Sequence, residues 1–236
     1  PYGLLHRGVD PHNASAQPQL TNRVLIQYRY LGNHLGILRL RPLISDRSFH
    51  SLQKQEPDLT FSQLIGTNQV FLQALQGNRV GTPWQLRWSQ GNYQPEGVWY
   101  WSYLYPEEVK RGLNHLEDLY SPGYLTVLMQ PGETLTLEAR VGLPSVVLAN
   151  LSSMAFDQAI LAKQQRLERE FLHLPQVAGK RAEIWERLLR ASDQFIAYQS
   201  AAMSPTFVAG YHWFADRSRD TLLSIPGFAL TTKRFA

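Results

Sequence analysis

Cysteine is absent from this 236-residue sequence, which excludes disulfide bridges and thiolate metal sites. Long apolar runs are also missing. The longest purely aliphatic stretch, residues 146–149, is far short of the ~20 apolar residues that cross a bilayer. No basic segment followed by an apolar one marks a signal peptide after Pro1. We therefore predict a cytoplasmic protein without a membrane partner, and the missing initial Met indicates a processed chain or an excerpt.

Concentrated positive charge is missing as well. The 23 Lys and Arg residues only slightly outnumber the 19 Asp and Glu residues, and most of the basic residues are scattered singly. Because nucleic-acid binding usually requires a basic stripe or a recognisable module, no nucleic-acid partner is predicted. Gly179-Lys180 lacks the other glycines of a phosphate-binding loop, and His212 with Asp216 lacks a third metal ligand. We predict neither a cofactor nor a metal.

From residue 22 to about 150 the chain has the alternation and the β-branched and aromatic content that are typical of strands. Pro131-Gly132, between two such segments, predicts a tight turn. Many strands with few helices between them favour an antiparallel β-sandwich. The predicted strands are 24–30, 37–43, 84–88, 98–104, 124–129 and 134–141.

Two interruptions of this pattern are predicted as helices. Pro106-Glu107-Glu108 has the composition of a first helical turn, and the apolar face continues to Tyr120 before Ser121-Pro122-Gly123 ends the helix. A weaker candidate covers residues 61–64. Four acidic residues are expected on the solvated face of the first helix: Glu107, Glu108, Glu117 and Asp118.

Trp99 and Trp101 are two residues apart, so an extended strand would place both rings on one face of a sheet. Such a pair is typical either of a sugar-binding platform or of the core between two sheets, and the core is the commoner case.

The apolar period changes to that of helices after about residue 155. Helices are predicted from Phe156 to about residue 173, over Arg181–Ser200, and from Ser218 with an interruption at Pro226. We assign residues 1–154 to a β-sandwich domain and residues 155–236 to a helical domain. An apolar stripe through Ile184 and Leu188 predicts self-association as a homo-oligomer or docking against the sandwich.

Residues 210–221 combine flat rings with charges. The C–H face of a pyranose stacks on Trp or Tyr, and its hydroxyls pair with carboxylates and guanidiniums, so the mixture favours a sugar site. The alternative is a salt-bridge network at a helix start, above a core of Trp213 and Phe214. The candidate substrate-binding residues are Tyr211, His212, Trp213, Asp216, Arg219 and Asp220.

Several motifs follow one another in a defined order. They are Leu38-Arg39-Leu40-Arg41-Pro42-Leu43 with Arg47, Phe49 and His50; Tyr105-Pro106-Glu107-Glu108 with Gly112, Leu113, Glu117-Asp118-Leu119 and Ser121-Pro122-Gly123; and 208–216 with Arg219-Asp220-Thr221 and Ile225-Pro226-Gly227. Together they closely resemble the bacterial and archaeal glycogen debranching enzymes of the amylo-α-1,6-glucosidase type. The first two sets resemble the family's N-terminal β-domain, and the third resembles the start of its catalytic domain.

This resemblance implies a β-rich α+β chain: an antiparallel β-sandwich (a supersandwich) followed by the first helices of an (α/α)6 toroid. It also implies hydrolysis of α-1,6 branch points in glycogen or a related α-glucan, with inversion. Arg219 and Asp220 would bind sugar hydroxyls between walls formed by Tyr211 and Trp213. One departure is Arg217-Ser218, where the family usually has Trp-Gly, which removes a stacking ring and adds a charge.

The family's general acid belongs to a Thr-Trp-Met-Asp motif that is absent here, and the base lies beyond it, so no catalytic residue is assigned. Residues 156–236 are 81 residues, whereas twelve helices of ~12 residues with ~5-residue connections need roughly 200. We therefore expect this chain alone not to turn over glycogen. The alternative function is a stand-alone, non-catalytic carbohydrate-binding or interaction protein built on the same sandwich.

Overall fold

A computed structural model describes residues 2–3, 23–48, 50–142, 150–172, 174, 180–199, 204–210 and 214–234. The chain divides into two compact units. One comprises Arg23–Phe156, and the other runs from Asp157 onward and includes the strand Tyr2–Gly3. The elements, in chain order, are β1 (Tyr2–Gly3), β2 (Arg23–Arg29), β3 (Gly36–Leu40), β4 (Leu59–Gly66), β5 (Gln69–Gln76), β6 (Arg79–Val80), β7 (Trp84–Trp88), β8 (Asn92–Leu104), α1 (Pro106–Lys110), β9 (Leu116–Met129), β10 (Thr134–Val141), α2 (Ala155–Phe171), α3 (Lys180–Asp193), β11 (Ile196–Gln199), β12 (Ser204–Gly210), β13 (Phe214–Asp216), α4 (Ser218–Ile225) and a π-helical turn (Pro226–Leu230).

The first unit contains two antiparallel sheets. One has the order β2-β10-β7-β5-β4, with β6 paired to β5, and the other has the order β3-β9-β8. The predicted turn at Pro131-Gly132 is confirmed and carries the chain from β9 in one sheet to β10 in the other. Gly132 adopts φ +81°, a left-handed conformation that glycine tolerates because it has no Cβ.

Both sheets contribute side chains to one apolar core, which makes this unit an antiparallel β-sandwich, as predicted. The burial follows from the period-two alternation of the strands, because every second side chain points to the same face. The buried cluster consists of Ile44, Val70, Leu72, Trp88, Leu125, Val127, Met129, Leu135 and Leu137.

Of the two helices predicted in this unit, the one at residues 61–64 is wrong, and the one that begins at Pro106 is confirmed but is shorter than predicted. Residues 59–66 form β4, which pairs in full register with β5 from Leu59↔Gln76 to Gly66↔Gln69. The helix that begins at Pro106 ends at Lys110, and the chain enters β9 at Leu116. Gly112 has φ +67°, which the helical conformation cannot accommodate, so the apolar residues after it belong to a strand.

The second unit combines helices with strands, and the sequence predicted only helices there. Helix α2 is confirmed, and Leu167 on it is buried. The helix predicted to reach Ser200 ends at Asp193, because Ile196–Gln199 forms β11 in a four-stranded sheet of order β1-β11-β12-β13. Whether these helices open a toroid stays a prediction.

The predicted interruption at Pro226 is confirmed, since α4 ends at Ile225 and a π-helical turn follows. Ser218 is the first residue of α4 and not its cap; the N-cap position is Arg217, without a side-chain capping bond. On α3, Leu189 is buried, while Ile184 and Leu188 are 61% and 58% exposed. The predicted self-association through this face stays a prediction.

Candidate functional site

The described residues of the predicted sugar site lie on an antiparallel strand pair, β12 and β13, and at the start of helix α4. Val208 of β12 lies opposite Asp216 of β13, and Gly210 lies opposite Phe214. Only Arg217 separates β13 from the first residue of α4. Gly210 and Phe214–Asp216 therefore lie in strands. Tyr211, His212 and Trp213 lie outside the described residues, so their predicted role as sugar-binding walls stays a prediction.

The polar members of this site lie close together along the chain at the start of α4. Asp216 and Asp220 are partly buried and Arg219 is exposed. Asp220 lies in the first turn of α4, where a negative charge is stabilised by the helix dipole. The Thr221 N–H donates to the Arg217 carbonyl oxygen at 2.9 Å, and the Ser224 hydroxyl donates to the Asp220 carbonyl oxygen at 2.7 Å. The helix start is thus held by its own backbone, while carboxylate acceptors and a guanidinium donor project from adjoining positions.

A second polar cluster lies in the first unit, around Glu117 of β9. The Glu117 side chain is fully buried and accepts hydrogen bonds from two atoms of the Arg47 guanidinium, Nε and Nη2, the latter at 3.1 Å. It also accepts bonds from the Tyr105 hydroxyl at 2.5 Å and from the backbone N–H of Gln53 at 3.0 Å. The expectation that Glu117 and Asp118 are solvated is wrong, because both are buried in a strand that is contacted by Ile44, Arg47, Gln53 and Gln55.

These contacts determine the charge state of the cluster. Burial alone would raise the pKa of the Glu117 carboxyl, but the hydrogen bonds from Arg47, Tyr105 and the Gln53 backbone outweigh it and lower the pKa. Burial, followed by the bond to Glu117, raises the pKa of Tyr105 to about 12. Glu117 is therefore an ionised acceptor whose oxygens are occupied by protein donors, which is typical of a structural ion pair and not of a proton-transfer group.

Asp118 connects the cluster to the surface. Its Oδ1 accepts the Ser102 backbone N–H at 2.8 Å, and its Oδ2 accepts the Gln55 backbone N–H at 3.0 Å. Gln55 in turn accepts a hydrogen bond from the indole Nε1 of Trp101. Burial raises the pKa of Asp118, but the two backbone donors and Lys54 outweigh it, so the pKa is lowered. The ionised Asp118 carboxylate thus binds the backbone of two segments, one at Ser102 and one at Gln55, and both segments carry exposed side chains.

The tryptophans of the first unit have different environments. Trp88 is 1% exposed and belongs to the core, and Trp84 and Trp99 are half-buried. Trp99 packs against Phe61 and Tyr120, with centroid distances of 6.0 and 5.2 Å. Trp101 is 64% exposed, so the expectation that it shares the core with Trp99 is wrong. A bulge accounts for the difference: β8 and β9 change register between Tyr100 and Tyr103.

In the part of the chain that the structure describes, no group of three or more His, Cys, Asp or Glu side chains is arranged to hold a metal ion. No described helix is long and apolar enough to cross a membrane.

Comparison with known families identifies the first unit. The family model for the N-terminal domain of glycogen debranching enzyme matches residues 12–136, more than half of the chain. The chain belongs to the glycogen debranching enzyme family. A second family model, amylo-alpha-1,6-glucosidase, matches residues 190–236. No curated protein and no solved structure gives a significant match to the chain.

Both clusters lie within segments that match this debranching-enzyme family. The predicted sugar site, from Tyr211 to Asp220, falls in the amylo-alpha-1,6-glucosidase segment. The Arg47–Glu117 pair and Trp101 fall in the N-terminal segment. The family match thus agrees with the resemblance that the sequence motifs indicate, and the chain is debranching-enzyme-like over both parts.

Sequence reasoning missed the Glu117 and Asp118 cluster because it treated residues 106–120 as one helix. The signal that could have found it is Gly112 followed by Asn114, two residues that end helices, ahead of the β-compatible segment 116–129. The partners of Glu117 could not have been found in this way, since Arg47 is 70 residues distant in the chain.

Proposed function

We propose that this chain is part of a glycoside hydrolase that acts on α-1,6 branch points of glycogen or a related α-glucan, in which it supplies the scaffold and one wall of the glucose site. The observation that carries the proposal is the match of residues 190–236 to amylo-alpha-1,6-glucosidase, because this segment contains all six candidate sugar-binding residues. The ionic side chains of Asp216, Arg219 and Asp220, clustered at the start of α4, have the donors and acceptors that sugar hydroxyls require.

The residues have separate roles in this proposal. Arg219 donates hydrogen bonds to hydroxyls of the terminal glucose, and Asp220 accepts from them. Tyr211 and Trp213 stack on the C–H faces of the sugar, and His212 and Asp216 complete the rim. None of these residues donates a proton to the glycosidic oxygen, so all six bind and orient the substrate.

Catalysis, in the proposal, depends on carboxyl groups other than these. Inversion requires a general acid and a general base about 6.5–9.5 Å apart, with a water molecule held between them. Asp216 and Asp220 are the only acidic residues between 204 and 236, and both are assigned to hydroxyl binding. We expect the purified 236-residue chain to bind branched oligosaccharide and not to hydrolyse it.

Two measurements test the proposal. A reducing-sugar assay on a branched limit dextrin should give no release above the blank, and clear turnover would contradict the assignment of the catalytic groups. Calorimetric titration with isomaltose should detect binding that R219A and D220N each weaken by about tenfold or more, the loss expected when a charged hydrogen bond is removed.

The matched control is E186Q, which changes an exposed carboxylate on α3 that pairs with Arg190 of the same helix. It should bind isomaltose like the unmodified chain. Equal affinity in R219A, D220N and E186Q would refute the site at the start of α4. The departure at Arg217 gives a further variant: R217W restores the family's ring at this position and should tighten binding.

A further inference from the structure

We propose that the cavity between α2 and α3 is a binding site for a small organic cation, a molecule that carries an ammonium or guanidinium group on an apolar body. The cavity has a volume of about 390 Å³. This lies within the range of roughly 300–1,000 Å³ that is typical of small-molecule sites. Its walls come from the last two turns of α2, the residues that follow and one face of α3. The lining residues that the structure describes all belong to the second unit.

The floor of the cavity is apolar and buried. Leu167, Leu174 and Leu189 line it and are 3%, 7% and 7% exposed. Phe171 lies one turn after Leu167 on the same face of α2 and also lines the cavity. A ligand seated on this floor would remove its apolar body from water, which is the main favourable contribution to binding for such a group.

The cavity is held open by ion pairs that join its two helices. Arg166 of α2 donates to both carboxylate oxygens of Asp193 at the end of α3, at 3.1 and 2.7 Å. Arg166 also donates to Glu170 at 2.7 Å, and Arg234 donates to Glu170 at 3.2 Å. The walls are therefore fixed before a ligand arrives, and a preformed site loses little conformational entropy on binding.

Three ionisable side chains line the described part of the cavity, namely Glu168, Glu186 and Arg190. Nε and Nη2 of Arg190 both donate to Glu186 Oε1, at 3.0 and 2.7 Å, so this pair carries no net charge. Among the described residues, none forms a hydrogen bond or an ion pair with Glu168. Two carboxylates and one guanidinium leave a single negative charge, which attracts a cation and repels an anion.

The position of Glu168 strengthens this attraction. Glu168 lies in the last turn of α2, which ends at Phe171, and the helix dipole places partial negative charge there. Arg169, the basic residue of that turn, donates to the Gln165 carbonyl oxygen at 3.2 Å and does not line the cavity. A carboxylate at a helix C-terminus is unfavourable without a cation beside it, so a bound ammonium group would relieve that cost.

Trp185 of α3 lines the same cavity and supplies an aromatic face. Its side chain is half-buried, and no described ring or guanidinium stacks on it. The indole attracts cations more strongly than the other aromatic side chains do, at centroid distances within about 6 Å. Trp185 lies one turn before Leu189 on α3. A cation on an apolar body therefore matches the carboxylate, the indole and the leucine floor that line this one cavity.

The site is independent of the proposed sugar chemistry. The two family models match residues 12–136 and 190–236, so Arg190 is the one described lining residue that falls in a matched segment. Ile184 and Leu188, the exposed residues of the predicted self-association stripe, do not line the cavity. The site therefore goes beyond the proposed function, and the failure of either would leave the other intact.

Calorimetric titration of the full 236-residue chain tests the site with three probes that share a phenyl group on a short alkyl chain. They are phenethylammonium, neutral phenethyl alcohol and anionic hydrocinnamate, used at about pH 7, where an alkylamine is protonated. We expect saturable binding of phenethylammonium that is at least about tenfold tighter than that of the alcohol, because only the ammonium meets the carboxylate and the indole face. Hydrocinnamate should not bind.

Two variants and a matched control locate the binding. E168Q removes the charge and should weaken phenethylammonium binding by about fivefold or more. W185L keeps an apolar side chain without the ring and should weaken it by about fivefold. The control is E183Q, because Glu183 is an exposed carboxylate of α3 that pairs with Arg187 and does not line the cavity. E183Q should bind phenethylammonium like the unmodified chain.

Each result decides for or against the site. Preferential binding of phenethylammonium that is lost in E168Q and kept in E183Q supports it; because Glu168 is exposed, E168Q should keep the thermal midpoint of the unmodified chain and decides the question even if W185L is destabilised. Equal affinity for the ammonium and the alcohol, equal affinity in E168Q and E183Q, or absence of saturable binding overturns the site. A folded W185L variant that changes the sedimentation of the unliganded chain also overturns it, because a second copy would then cover the cavity.

Discussion

Arg47 and Glu117 are 70 residues apart in the chain and form a two-point ion pair in which the carboxylate is completely buried. The pair joins the segment after β3 to the start of β9. Because Tyr105 and the Gln53 backbone also donate to Glu117, removing the carboxylate would leave several donors without an acceptor. The neighbouring Asp118 extends the same network to the exposed surface of β8. The stability of the first unit and the placement of its exposed rings therefore depend on two adjacent acidic residues.

Replacing Glu117 by Gln should destabilise the first unit. Removing one partner of a buried pair leaves the Arg47 guanidinium without its counter-ion, and such losses amount to about 3 kcal/mol. The measurement is the free energy of unfolding from urea titration, followed by tryptophan fluorescence. The matched control is E107Q, an exposed carboxylate of α1 paired with Lys110, which should change stability by less than about 0.5 kcal/mol. A loss in E117Q no larger than that of E107Q would contradict the prediction.

Stability should fall in acid through the same two carboxylates. The pKa values of Glu117 and Asp118 are lowered in the folded chain, whereas unfolded Glu and Asp titrate near 4. The unfolded chain therefore binds more protons below about pH 5, and their contribution, fully present at neutral pH, is lost as the pH falls through the folded pKa values. Urea titrations between pH 3 and 6 measure this slope. The E117Q and D118N variants should show a shallower slope, and an unchanged slope would contradict the assignment.

At alkaline pH the stability of the folded chain should fall as the pH rises. Tyr93 has its pKa raised to about 12 by burial and then by neighbouring Tyr120, against the opposing effect of Arg41. Tyr105 also has its pKa raised to about 12. Unfolded tyrosine titrates near 10, so the unfolded chain loses protons first and stability declines between about pH 10 and 12.

The variants Y93F and Y105F check this decline. The difference in free energy of unfolding between each variant and the unmodified chain should stay constant below about pH 9 and shift in favour of the variant above pH 10. Parallel curves across the whole range would show that neither hydroxyl is responsible.

Gly123 should tolerate no side chain. A Cβ at this position would overlap the backbone oxygen of Gln94 on the paired strand and would lie 2.6 Å from the Tyr93 hydroxyl. We expect G123A to lose roughly 1–3 kcal/mol, the usual cost of overpacking a tight site. G227A is the control, because nothing lies within 4 Å of its Cβ, and it should be neutral or stabilising by up to about 1 kcal/mol. The midpoint of thermal unfolding measures both, and equal midpoints would contradict the prediction.

The sequence predicted the sandwich more accurately than the second unit. Segments such as Trp84–Trp88 and Thr134–Val141 form strands with the predicted bounds, because alternating burial leaves a clear period of two. The segment 116–129 was assigned partly to a helix, since an apolar residue every three or four positions also occurs by chance in a strand buried on both faces. Strand β11 was missed for a similar reason, because it directly follows a strongly amphipathic helix.

The candidate sites show the same division. The residues near α4 were predicted as a sugar site from their types alone, since rings beside carboxylates and guanidiniums indicate a chemistry whatever the fold, and this assignment stays a prediction. The exposure of Trp101 could not be found in this way. It follows from a bulge that adds one residue to β8, and from a carboxylate on β9 that accepts the backbone N–H beside the ring.

By itself the sequence determined the antiparallel β-rich character of the first unit, the debranching-enzyme family and the composition of the predicted sugar-binding segment, because these can be read from periodicity and from the order of motifs along the chain. Only the tertiary structure decided that Glu117 is buried, that Arg47 neutralises it and that Trp101 faces solvent. These outcomes depend on which distant donors reach a carboxylate and on strand register. The free energy of a buried charge is determined by those long-range partners, and residue spacing along the chain does not encode them.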